Sequence, residues 1–151
     1  MKPIAKATAV LVVFGILIGA AYAQFSKPED AIKYRQSVMF IIAQHFGRLG
    51  AMVKGKQPYD QKTFASNTAV IESLSGLAWV AFLVPGSDRG KTTMKSSVLK
   101  NPDGFKSLSQ QYQSEVGKLS AAAKGSDFNA IKAQFGSVAQ SCKNCHSKTR
   151  K

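Results

Sequence analysis

Two thiols and an imidazole carry the most specific chemistry in this 151-residue chain: Cys142-Lys143-Asn144-Cys145-His146. The pattern is C-x-x-C-H, that of covalent c-type haem attachment. On a helix, thiols three residues apart lie on the same side, so both reach the two vinyl groups of one porphyrin. The imidazole of the next residue then reaches the iron from that side, as a proximal histidine. Both thiols must be reduced before they add to the vinyls. Other uses of the cysteines fit less well. A thioredoxin-type C-x-x-C needs a βαβ context, and the chain shows no convincing period-two alternation. A disulfide over so short a loop would stabilise little. A zinc site needs two more ligands, and His45 is the other histidine in the chain. The motif therefore predicts one haem c bound through Cys142 and Cys145, with His146 as axial ligand. No paired carboxylates share a face, and no Ser/His/Asp set can be assembled beside His146. No enzyme is expected, and any catalysis would be iron redox chemistry.

The elements that must position this motif follow from periodicity. Residues 1–23, MKPIAKATAVLVVFGILIGAAYA, have the parts of a cleaved export signal: Lys2 and Lys6, an apolar run, and the A-x-A-like site Ala21-Tyr22-Ala23. The apolar run is about 14 residues, short of the roughly 20 that span a membrane. The mature chain, residues 24–151, is expected in a periplasm, if the chain is bacterial, without stable membrane insertion. Removing the signal takes away two lysines and no acids, so the formal charge falls from +13 to +11.

Four helices are predicted in that mature chain. The first opens on Ser26-Lys27-Pro28-Glu29, read as a capping box, and carries the seam Ile32, Arg35, Met39, Ile42, Phe46, Leu49, Val53. Gly55 is the expected C′ residue. Asp60 should cap the second helix, which bears Phe64, Ile71, Leu74, Ala78 and Ala81 and stops before Pro85-Gly86. Residues 83–100 are irregular. Asn101-Pro102 starts the third helix, with Phe105, Leu108, Tyr112 and Val116. Ser126 is expected to cap the fourth, with Phe128, Ile131, Phe135, Val138, Cys142 and Cys145 in line. The fold expected is all-α: an antiparallel up-down-up-down four-helix bundle with the haem in one end.

A C-terminal C-x-x-C-H on such a bundle resembles the class II cytochromes c, above all the cytochrome c′ family. The likeness runs over nearly the whole mature chain. It is strongest at Gln24-Phe25, Pro28 to Ser37, His45-Phe46-Gly47-Arg48, Pro58-Tyr59-Asp60, Trp79 to Phe82 and the haem motif. The resemblance implies a haem that is often five-coordinate, shielded on its sixth side by an apolar side chain of the first helix. It implies binding of nitric oxide and carbon monoxide, and a homodimer packed through the first two helices. Arg35 and Gln36 match the family's first-helix haem contacts. An unpaired buried cation is costly, and a haem propionate would suit Arg35 through bidentate pairing. The other course open to Arg35 is to snorkel to solvent. Phe82 matches an aromatic near the distal face, or is a plain core residue. Thr93 and Met94 fall near the family's loop contact with the haem edge, although the loop length differs. Arg150 matches a basic residue beside the proximal imidazole, or belongs to a frayed terminus. His45 lies off the seam and is expected to be a partly exposed polar residue.

Met39 departs from the family's usual bulky apolar residue. Its thioether could ligate iron, and low-spin relatives resemble this chain in their Arg-Gln-x-x-Met pattern. Two functions remain open on sequence: a gas-binding haem protein with Met39 as a lid, and a His/Met electron carrier. Met is also a common core filler. The positive charge is spread along the chain without the aromatic interleaving of a nucleic-acid surface. It suits solubility or the steering of acidic redox partner proteins instead.

Overall fold

A computed structural model describes residues 24–151. The export signal read at residues 1–23 lies outside the described residues. Four long helices are present: α1 (Pro28–Val53), α2 (Gln61–Leu74), α3 (Pro102–Ala123) and α4 (Phe128–Thr149). α1 packs on α2, α2 on α3, α3 on α4, and α4 returns to α1. A 3-10 turn, Trp79–Phe82, and a single helical turn, Ser97–Lys100, punctuate the long connection. None of the described helices is long and apolar enough to cross a membrane.

The helix ends follow backbone chemistry, with three departures from expectation. Lys27, not Ser26, is the N-cap of α1, and its side chain makes no capping bond. Pro28 takes the first helical position, where its missing N–H costs nothing. That placement pushes Ser26 outside the helix, so the capping box does not form. At the other end, Gly55 (φ 68°) donates to Met52 O at 3.1 Å and Lys56 donates to Ala51 O at 2.8 Å. This is a Schellman motif in which glycine meets the left-handed requirement.

α2 is capped by Asp60, which accepts from Thr63 N–H at 2.7 Å. It ends at Leu74 rather than running on towards Pro85. Both the N–H and the hydroxyl of Ser75 turn back to Glu72 O, at 3.1 and 2.7 Å. The Trp79 indole N–H then takes Ser75 O, the carbonyl that a continuing helix would give to the Trp79 backbone. The helix is thus unwound by its own side chains, a known route by which polar groups compete with the ladder.

Asn101 caps α3 through Gly104 N–H at 3.0 Å. Asp127, not Ser126, caps α4, accepting from Asn129 N–H at 2.9 Å and Ala130 N–H at 3.1 Å. A carboxylate that receives two backbone donors outcompetes a hydroxyl. Asp127→Ala should therefore lower stability by about 1–2 kcal/mol, read as a fall in the thermal midpoint with an unchanged haem spectrum. A midpoint within error of the parent would refute this cap.

The helix stripes meet in a core of Leu49, Phe64, Ile71, Val116, Leu119, Ile131 and Val138. Phe46 and Phe135 stack across the bundle, with ring centroids 4.3 Å apart. A smaller cluster, Met94, Val98 and Phe105, packs under the long connection against Trp79 and Phe82. This second cluster holds the connection against the end of the bundle where α4 finishes.

Candidate haem site

The last turns of α4 present Cys142, Cys145 and His146 to one cavity of about 530 Å³, within the usual range for ligand sites. Both cysteines are free thiols and half-buried. Burial pushes both thiols above the ordinary range, and for Cys142 the neighbouring Cys145 adds to the effect. Both are therefore favoured in the protonated thiol form. Desolvation pushes the His146 imidazole down, and Arg150 reinforces it. The neutral ring with a free lone pair is the ligating form.

All ten residues singled out from the sequence line this cavity: Arg35, Gln36, Met39, Phe82, Thr93, Met94, Cys142, Cys145, His146 and Arg150. α1 forms the wall across from α4. Along it, Gln36 and Phe40 lie one turn apart, as do Met39 and Ala43. The long connection and α3 close the remaining sides through Trp79, Phe82, Thr92 to Met94, and Tyr112.

Arg35 neither snorkels nor keeps its fork for a carboxylate. It is 2% exposed. One terminal nitrogen donates to Ala81 O at 2.8 Å and Ser87 Oγ at 2.9 Å. The other donates to Ser87 O at 2.6 Å and Thr92 Oγ1 at 2.9 Å. Only Nε–H of its five donors lies outside this set. The guanidinium carbon also sits 4.8 Å from the Phe82 ring centroid. Burial pulls the Arg35 pKa down, and Asp88 partly opposes it. Arg35 thus ties α1 to the long connection. The bidentate clasp expected from sequence is made with loop oxygens. Gln36 adds a second tie, donating to Lys91 O at 2.9 Å.

The C-terminus is equally anchored. Lys95 N–H donates to Thr149 O, and Lys151 N–H to Thr93 O, both at 2.8 Å. Met94 and Arg150 form an isolated antiparallel bridge. Arg150 Nε donates to Thr93 Oγ1 at 3.2 Å. Arg150 is therefore not frayed; it clasps the loop beside His146. Phe82 is both a cavity wall and part of an aromatic cluster, its centroid 5.0 Å from that of Phe105. His45 lies away from the cavity and bonds Asn67 Oδ1 through Nδ1 at 2.8 Å, joining α1 to α2.

Some wall residues were not read as site residues. Phe40 and Ala43 were within reach of helical spacing, each four residues past a chosen one. Tyr112 was read as core. Its hydroxyl is buried with no hydrogen-bond partner, although the side chain lines the cavity. An orphaned buried hydroxyl is costly. Thr92 and Thr149 gave no sequence signal. The donor set of Cys142, Cys145 and His146 and the apolar walls together fit a haem.

The sequence profile of the family described as Cytochrome C′ matches residues 30–150. Cytochrome c′ of Rubrivivax gelatinosus is 47% identical over 126 residues, covering 83% of this chain and 97% of that protein. Cytochrome c′ of Alcaligenes xylosoxydans xylosoxydans is 44% identical over 128 residues, covering 85% and 98%. Among solved structures, a nitric oxide complex of a cytochrome c′ variant from Alcaligenes xylosoxidans superposes with a TM-score of 0.79 at 43% identity, covering 85% of this chain and 98% of that one. Covalent haem c is the cofactor of that family, and this chain has two cysteines. By motif, fold and likeness over most of its length, the chain belongs to the cytochrome c′ family.

Proposed function

We propose that this protein is an exported haem protein that binds diatomic gases, nitric oxide and carbon monoxide, at a shielded iron. The observation that carries the reading is the pairing of His146 on α4 with Met39 on α1 in the walls of one mostly apolar cavity. The nitric oxide complex of the Alcaligenes xylosoxidans relative supports the ligand class. When bound, haem iron supplies an axial position for a diatomic ligand and a one-electron couple.

The chain's own residues do the rest. Cys142 and Cys145 hold the cofactor covalently. His146, its protonated form disfavoured by burial, would give the iron a nitrogen ligand. Met39 closes the α1 side: a ligand arriving there must displace a flexible thioether side chain. Arg35 and Gln36 fix the connection that forms part of the wall. In this reading residues 1–23 direct export to a periplasm and are cleaved after Ala23. A homodimer through α1 and α2 belongs to the same reading, and Ile41 stands exposed on α1.

The test is optical and resonance Raman spectroscopy of the haem-loaded protein, with kinetics of carbon monoxide uptake. As a lid, Met39 leaves the ferrous iron high-spin, and Met39→Ala speeds carbon monoxide binding roughly tenfold, a barrier change of about 1.4 kcal/mol. A low-spin ferrous parent that turns high-spin in Met39→Leu would replace this reading with a His/Met electron carrier.

A further inference from the structure

We propose that the rim of the cavity is a docking surface for an acidic electron-transfer protein. This rests on the haem reading above. Two segments, residues 89–100 and 143–151, reach the cavity wall through Thr92 to Met94 and through Cys145, His146, Thr149 and Arg150. They contain eight cations, Arg89, Lys91, Lys95, Lys100, Lys143, Lys148, Arg150 and Lys151, and no acidic side chain. In sequence these segments are far apart. The tertiary structure sews them together through the Lys95–Thr149 and Lys151–Thr93 backbone bonds and the Met94–Arg150 bridge.

None of these cations is ion-paired. Among the described residues the one side-chain salt bridge is Lys118–Glu115, on α3. The nearest acid in sequence, Asp88, accepts from the Ser96 hydroxyl and offsets part of the charge of Arg89 and Lys151, so one carboxylate stands against the eight cations here. Seven of the eight are exposed, and Lys95 is half-buried with its ammonium on Ser147 O.

The same rim has an apolar centre. Phe40 lines the cavity yet is 64% exposed. It lies one turn from Gln36, whose amide bonds Lys91 O within the basic stretch. An exposed aromatic next to a stretch of unpaired like charges has elements of an interface, an apolar patch bordered by polar groups. A second copy of this chain does not suit it, because two such collars would repel. An acidic surface does, and the charges would also steer the encounter. The docked partner would face the cavity mouth. One electron would pass from its reduced centre to ferric iron: the partner is oxidised by one electron, the iron becomes ferrous, and no atom is transferred.

The experiment uses the haem-loaded protein with reduced flavodoxin, an acidic flavoprotein, as probe. Stopped-flow reduction is followed at rising ionic strength. Photoreduced lumiflavin, a small uncharged reductant, is the control. The rate with flavodoxin should fall roughly tenfold or more between low salt and about 0.3 M. A variant carrying Lys91→Glu, Lys148→Glu and Lys151→Glu should lose a similar factor at low salt, with the lumiflavin rate unchanged. Amide chemical shifts on adding oxidised flavodoxin should move in 89–95 and 146–151. A salt-independent rate, an unaffected triple variant or shifts clustered elsewhere would overturn the proposal. So would tighter binding to phosphatidylglycerol vesicles than to flavodoxin at equal salt, which would make the collar a lipid-binding surface. Failure of the haem reading shows separately, as absence of covalent haem before any titration.

Discussion

Replacing Cys142 and Cys145 together by alanine should abolish covalent haem. Protein made in a host competent to attach haem, then precipitated with acidified acetone, should carry one haem per chain in the parent and none in the double variant. The pyridine haemochrome spectrum is the measurement. The reason is chemical: a thioether survives acid and an axial bond does not. Each single variant should keep one thioether, with a shifted haemochrome band. The double variant should also melt at a lower temperature. Met39, Phe46, Trp79 and Phe82 form apolar walls of the cavity and are half-buried by protein alone. Burial of each such side chain is worth about 1.5–3 kcal/mol, so leaving several partly uncovered costs several kcal/mol. Acid-stable haem in the double variant would refute the attachment.

The second large effect is expected at Arg35. Arg35→Met keeps the volume and the helix propensity but deletes four hydrogen bonds to the connection. Bonds to a charged group are worth about 1.5–3 kcal/mol, and a buried acceptor left unpaired adds its own penalty. Neighbouring bonds of one group are not additive, and the buried charge itself is expensive. The net loss expected is about 3 kcal/mol, or roughly 10 °C in thermal midpoint for a domain of this size. The damage should also be local. Amides of residues 86–93 should exchange faster than those of α3, because the tie between α1 and the connection is gone. Arg35→Lys should recover only part of the loss, since an ammonium lacks the planar fork that spans Ala81, Ser87 and Thr92. A variant within about 0.5 kcal/mol of the parent would show that the connection holds itself.

These two predictions differ in how far the chain itself announces them. The attachment chemistry is local: Cys142, Cys145 and His146 lie within five consecutive residues, so their meeting needs only a helix. The bundle is also legible, because a seam stepping by three and four can be buried only against other helices. The caps were legible where one good acceptor stood alone, as with Asp60 and Asn101. They were misread where two neighbours competed. Pro28 displaced Ser26, and Asp127 displaced Ser126. The end of α2 was misread because the Trp79 indole takes a backbone carbonyl, and periodicity is blind to such side-chain competition.

Residue types and short spacings, then, were enough to read the cofactor chemistry and the four helices, and the family resemblance added further residues, so that ten of the wall's residues were named in advance. Only the folded chain decided what those residues do to one another. Arg35 proved to be a structural tie because Ala81, Ser87 and Thr92, 46 to 57 residues away, converge on it. Tyr112 proved to have an unpartnered hydroxyl because the groups that fold around it offer no donor or acceptor. Two basic stretches became one collar because backbone bonds join the connection to the end of α4. A helix is specified by interactions within a few residues. A hydrogen-bond partner or an electrostatic surface is a sum over groups that the chain brings together only on folding.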